Sequence, residues 1–417
     1  MSFFFTLALI LSGCILLRIV CQKIHLPCLV GYLLFGILLA FLEERFSTDS
    51  FHFLDSGITD ISSYLRKIAL IIILTKAGLS LNVSDLRKVG RPAILMSFLP
   101  AVTEICAVGF FAPLLFPSLT YLDSFLLGSV LGAVSPAVVV PMMSRLMDEK
   151  YGTEKGIPQL IVVGSSIDDI NMIVFYQCFL SMEGGKSFSY LSFLNIPCSI
   201  LSGVSLGIAF GFLLIWIHKK TRMDDTLFLI LIFAISFFLT VIEEVLSSYV
   251  GVSSLLSVLS LCIFIRYKNP ELAGRLMSTC NRIWILAEMY LFVLVGACIK
   301  IDYATKYFAM SLLLVVISLF FRLIAVNVSL IKTDLNIKER IFTSISYVPK
   351  ATVQAAIGGG LLDLGNRLLT EGMDSAQRIM EAGTIVLSVS IVVILITAPL
   401  GAILMNSTYR HLLKKEE

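Results

Sequence analysis

Charge is what this chain has least of. Its 32 Lys+Arg and 29 Asp+Glu are 15% of 417 residues, with a formal net charge of +3, where a soluble domain carries about 25%. That scarcity excludes a soluble enzyme and a disordered chain, and the balance of signs leaves no electrostatic footprint for nucleic acid. Histidine is scarcer still. His25, His52, His218 and His411 stand at span ends or between spans, so no buried imidazole sensor is evident. The nine cysteines include no CxxC pair and fall mostly inside apolar runs. They read as small packing residues rather than a disulfide framework or a metal cluster. No basic region precedes the apolar N-terminus and no small-residue cleavage site follows it. Met1 to Val20 therefore reads as a membrane span, not a signal peptide.

What is present is hydrophobicity: 57% of residues, with a mean hydropathy of +0.93. An all-α membrane protein is expected, because about 20 apolar residues cross a bilayer core as a helix. Thirteen spans are expected, at 3–20, 26–42, 57–81, 92–115, 121–146, 156–182, 191–217, 225–242, 248–265, 283–299, 307–331, 339–362 and 383–406. The loops are too short for a soluble domain, and the longest gap runs from Asp363 to Ala382. Twenty-one Lys and Arg fall in one set of alternate loops, among them Arg87, Lys88, Arg91 and Arg222. The other set holds Arg45, Lys186, Lys300, Lys306, Arg367 and Arg378. This bias puts the N-terminus outside and the C-terminus in the cytoplasm of a plasma (inner) membrane protein.

Some charges lie within the spans, where each costs roughly 2.5–3.5 kcal/mol on the insertion scale. Lys76, near a span end, reads as snorkelling, and Glu288, early in its span, as favouring a helix N-terminal turn. Arg66 and Lys67 suggest no role. Asp168 and Asp169 differ, since two adjacent carboxylates at mid-span have little structural use. Burial and mutual repulsion penalise their doubly charged form, so they are candidates to bind H⁺ or a hard cation such as Na⁺. Ser165, four residues before Asp169, shares its helix face and is either a third ligand or a packing serine.

Two spans carry matched prolines. The fifth contains Gly132-Ala133-Val134-Ser135-Pro136, with Pro141 beyond, and the twelfth Tyr347-Val348-Pro349-Lys350-Ala351-Thr352-Val353-Gln354. Proline removes a helix hydrogen bond, so both spans are expected to break, with carbonyls near Ser135 turned towards the aspartates. The breaks are seven spans apart. Two six-span halves flanking a linker span would thus be inverted repeats with two crossing broken helices. One span before each break stand Glu104 and Arg322, read as a structural ion pair. Lys350 can neutralise a helix C-terminal end at the crossing. Gly358-Gly359-Gly360 suggests close helix packing.

The runs Val134 to Pro141, Tyr151 to Pro158, Ser165 to Ile170 and Val348 to Gly358 resemble the NHA-type sodium/proton antiporters of the cation/proton antiporter superfamily. The resemblance spans nearly the whole chain. It implies an NhaA-like antiporter fold and a homodimer in membrane lipid, with no cofactor, nucleic acid or soluble regulatory domain. It also implies a transport core at 92–182 and 307–406, dimerisation spans at 3–81 and 225–299, and a linker at 191–217. Asp169 matches the family's main ion-binding aspartate, Asp168 its partner, and Glu104 and Arg322 its buried acid and base. Relatives with paired aspartates often carry Lys where Arg322 stands. Elevator-like exchange of Na⁺ or Li⁺ for H⁺ is therefore expected, with the cation held by Asp169, Asp168 and Ser135 or its neighbouring carbonyls. A K⁺/H⁺ antiporter, or another ion-coupled transporter of this architecture, is the alternative. An intramembrane aspartyl protease fits poorly, since adjacent helix residues point about 100° apart and no GxGD occurs. A channel or receptor leaves the matched prolines unexplained.

Overall fold

The computed structural model of the chain describes residues 3–24, 26–47, 52–80, 90–183, 190–221, 223–246, 252–298 and 301–416. Side chains are not described at 56, 59, 60, 190–200, 244 and 301–305. His25, Arg87, Lys88, Lys186, Arg222 and Lys300, which entered the readings above, lie outside the described residues, and of Cys198 only the backbone is described.

The described residues form sixteen helices: α1 (Phe3–Lys23), α2 (Cys28–Phe46), α3 (Ser56–Ser80), α4 (Arg91–Leu115), α5 (Tyr121–Leu131), α6 (Pro136–Asp148), α7 (Ile157–Glu183), α8 (Tyr190–Thr221), α9 (Asp225–Leu246), α10 (Ser254–Lys268), α11 (Pro270–Ala297), α12 (Ile301–Ser329), α13 (Ile337–Ile345), α14 (Thr352–Ile357), α15 (Gly360–Thr370) and α16 (Ala376–Leu412). Taking α5 and α6 together, nine stretches among the described residues are long and apolar enough to cross a membrane. Helices suit that solvent because they satisfy every backbone polar group internally. Other helices miss by length or charge: α10 has 15 residues, and α3 carries Arg66, Lys67 and Lys76.

Two boundaries differ from expectation. The helix expected to start at 283 begins at Pro270, so Glu288 lies deep inside α11 and not in a first turn. The expected gap from Asp363 to Ala382 is largely helical. Leu361, Gly365 and Leu368 put a buried stripe on α15, whose period needs no long apolar run. Only Glu371 to Ser375 remain between α15 and α16, turning at Gly372 with φ of 72°.

The chain divides into two compact units. The first comprises Met1–Arg66, Lys88–Glu183 and Met289–Glu417. Within it, Gly152 N–H donates to the Lys414 carbonyl at 2.9 Å and Glu416 N–H to that of Lys150 at 2.9 Å, so the tail is paired with the turn joining α6 to α7. The second comprises Lys67–Arg87 and Gly184–Glu288. There α8 packs on α10 through Gly203, Gly207 and Gly211, one per helical turn. A Cβ on Gly203 would fall 2.8 Å from the Ser253 carbonyl oxygen. Lys76 lies 5.8 Å from the Trp284 ring centroid, a cation–π contact. The eight cysteines whose side chains are described are all unbridged.

Candidate ion-binding site

The two proline-containing runs are broken helices, and both lie in the first unit. Helix α5 stops at Leu131 and α6 starts at Pro136, its first residue, where a missing N–H costs nothing. Helix α13 stops at Ile345 and α14 starts at Thr352. The extended segments meet directly: Ser135 N–H donates to the Pro349 carbonyl at 2.8 Å.

Buried backbone groups freed by a break need partners, and side chains from four other helices or segments supply them. Lys350 Nζ donates to the Leu131 carbonyl at 2.6 Å, at the negative end of α5. Gln354 Nε2 donates to the Leu131 carbonyl at 3.2 Å and to that of Ala133 at 2.9 Å. Arg322 Nη1 donates to the Gly132 carbonyl. Val134 N–H donates to Asp168 Oδ2 at 3.0 Å. The carbonyls thus face cations and an amide side chain, and what the break offers the aspartate is an N–H. The expectation of carbonyls turned towards the aspartates is therefore not met at Leu131, Gly132 and Ala133, and the contact seen with Asp168 is the Val134 N–H, which an ionised carboxylate can accept. In the second break, Lys350 N–H donates to Thr397 Oγ1 of α16 at 3.1 Å.

The charged residues form one chain of contacts. Lys350 Nζ lies 2.7 Å from Glu104 Oε1, and Arg322 Nη1 lies 2.6 Å from Glu104 Oε2. Arg322 Nη2 lies 2.6 Å from Asp168 Oδ2. All four residues are 0% exposed. Arg322 also lies over the buried Tyr347 ring, 5.4 Å from its centroid. Two acids and two bases are therefore matched. Asp169, 6% exposed, is left over: among the described residues it has no hydrogen bond or ion pair. Asp168 Oδ1, Asp169 Oδ1 and Ser135 Oγ are buried oxygens without hydrogen-bond partners. Ser165 Oγ gives its hydrogen to the Val162 carbonyl at 3.2 Å, one turn back, and keeps its lone pairs.

Reasoning from the sequence missed three participants here. Gln354 and Tyr347 are uncharged polar residues inside the second proline run, and Thr397 sits in an otherwise apolar span. The available signal was a polar side chain at mid-span depth beside a break. It also missed two contacts, Lys350 to Glu104 and Arg322 to Asp168.

The profile of the family described as "Sodium/hydrogen exchanger, transmembrane" matches residues 7–406. Mouse sodium/hydrogen exchanger 9B2 is 32% identical over 401 residues, covering 94% of this chain and 69% of its own length. Human sodium/hydrogen exchanger 9B1 is 32% identical over 388 residues, covering 91% and 71%. Human 9B2, also 32% identical, is covered over 65% of its length. A solved structure of the sodium proton antiporter MjNhaP1 from Methanocaldococcus jannaschii at pH 8 superposes with a TM-score of 0.82, covering 99% of each chain at 20% identity. That likeness establishes the fold. The profile and the relatives establish the lineage: this chain belongs to the sodium/hydrogen exchanger family, whose members are membrane transporters and not enzymes.

Proposed function

We propose that this protein exchanges Na⁺ or Li⁺ for H⁺, the two competing for Asp169. One observation carries this. Glu104 and Asp168 have cationic partners, whereas Asp169 is buried with none among the described residues. A lone carboxylate out of water is strongly disfavoured, so Asp169 is stable there only with a proton or a metal cation. Asp168 Oδ1, Ser135 Oγ and the Ser165 lone pairs are the oxygens that would complete a cation's shell. Arg322 holds the other oxygen of Asp168 and Glu104 holds Arg322, which makes the Glu104–Arg322 pair a scaffold for the site rather than a proton carrier. Lys350 compensates the end of α5.

Around this site we infer thirteen spans in two inverted halves, an N-terminus outside and a cytoplasmic C-terminus. The protein acts as a homodimer in the plasma membrane. Spans at 92–182 and 307–406 form a moving core and those at 3–81 and 225–299 a dimerisation frame, joined by the linker at 191–217. The core crosses with Asp169 neutralised by Na⁺ or H⁺ and not with it bare, because a naked charge in lipid is too costly.

The test is proton flux in everted vesicles on addition of Na⁺, Li⁺ or K⁺. Wild type is expected to respond to Na⁺ or Li⁺, and Asp169→Asn to abolish the response. Full activity in Asp169→Asn overturns the site, and a response to K⁺ alone replaces the cargo.

A further inference from the structure

One buried cation in the first unit takes no part in this site. Arg66 of α3 is 6% exposed. Its Nη1 donates to Ser62 Oγ, one turn earlier, and to Cys298 Sγ just past α11, each at 3.3 Å. Its Nη2 lies 2.7 Å from Asp363 Oδ1 in the first turn of α15. The guanidinium runs along Gly359, where a Cβ would sit 3.4 Å from Nε and 3.6 Å from Cζ. Gly359 and Asp363 belong to the helical continuation of the second break, so the arginine rests on the backbone that carries Lys350 and Gln354. It is held at one side by α3 and the end of α11, and at the other by α15.

These two sides fall differently in the proposed transport scheme. Ser62, Arg66 and Cys298 lie in the dimerisation spans, and Asp363 in the core. The alternation of basic loops puts all of them nearer the outer face. The geometry points to Arg66–Asp363 as a latch that holds the core at the outer face in the position seen here and must open when the core crosses. The latch depends on the moving core proposed above. Its physical basis is the cost of separating a buried guanidinium from the one carboxylate it meets among the described residues, which favours the latched position. Such coupling between positions typically amounts to roughly 5–150-fold. Cys298 is a natural reporter, since it is half-buried and in contact with the arginine.

The test uses the full-length chain in proteoliposomes as wild type, Asp363→Asn and Asp363→Glu. Three quantities are measured: labelling of Cys298 by a membrane-impermeant maleimide, read on its own peptide by mass, maximal Na⁺-driven proton flux, and the thermal midpoint. The latch requires Asp363→Asn to raise labelling at least about fivefold and to raise maximal flux, with the half-saturating Na⁺ concentration unchanged. Asp363→Glu should restore protection. Unchanged labelling overturns the latch, as does faster labelling without faster flux, which would be local loosening only. Flux falling together with the thermal midpoint also overturns it, and makes the pair a fold-holding contact. If wild type itself moves no protons on addition of any cation, the exchange function fails instead, and the labelling comparison still reads the latch.

Discussion

Glu104 carries more of the site than its single charge suggests. It neutralises both Lys350 and Arg322, and among the described residues only Arg322 pairs with a second carboxylate. Glu104→Gln should therefore cost about 3–5 kcal/mol by stranding Lys350. Adding Lys350→Met should recover part of that loss, so the double variant should melt above Glu104→Gln alone. A thermal-shift series in detergent checks this, and a double variant no more stable than the single one would mean that Lys350 is not held by Glu104. The geometry also predicts the outcome of a charge exchange. Glu104→Arg combined with Arg322→Glu should fail to rescue, because an acid at 322 would face Asp168. At this scale the sequence exposed the charged members by their depth alone, as Asp168, Asp169, Glu104, Arg322 and Lys350 all stand in apolar runs. It did not expose who meets whom. Arg322 reaches Asp168 across 154 positions and Lys350 reaches Glu104 across 246, and composition says nothing about such distant pairings.

Helices pack here by letting backbones touch. In the second unit Gly203 of α8 lies so close to the Ser253 carbonyl that alanine has no room. Alanine is the better helix former by roughly 0.5–1 kcal/mol, yet overpacking against backbone that cannot yield costs typically 1–3 kcal/mol. Gly203→Ala should therefore destabilise. Gly274 of α11 has nothing within 4 Å of a built Cβ, so Gly274→Ala should be neutral or stabilising. Thermal midpoints of the two variants decide it, and equal shifts would refute the packing argument. Apolar runs made most helices legible, and matched prolines made both breaks legible. Helix α15 and the first turns of α11 escaped because they are amphipathic rather than uniformly apolar. Hydropathy reports contact with lipid, whereas their order comes from a buried stripe or from continuity with the helix they extend.

For the whole molecule, the crossing is a junction in which each broken end is bonded to a different part of the first unit. Leu131, Gly132 and Ala133 hand their carbonyls to Lys350, Arg322 and Gln354, while Val134 and Ser135 hand their N–H groups to Asp168 and Pro349. A half-helix cannot slip without breaking several of these at once, so the proposed core at 92–182 and 307–406 should move as a block. That wiring also bears on voltage. With Asp168 held in the Arg322 contact and Lys350 in that of Glu104, Asp169 is the carboxylate of this group left without a cationic partner among the described residues. A block carrying either Na⁺ or H⁺ on that carboxylate crosses with the same net charge both ways. One-for-one exchange should then feel no membrane potential. In proteoliposomes, flux should be equal with the potential clamped at zero or negative inside, and a rate that follows the clamp would require a second titrating group. The matched pairs that keep buried charge affordable would thereby also uncouple ion traffic from the electrical state of the cell.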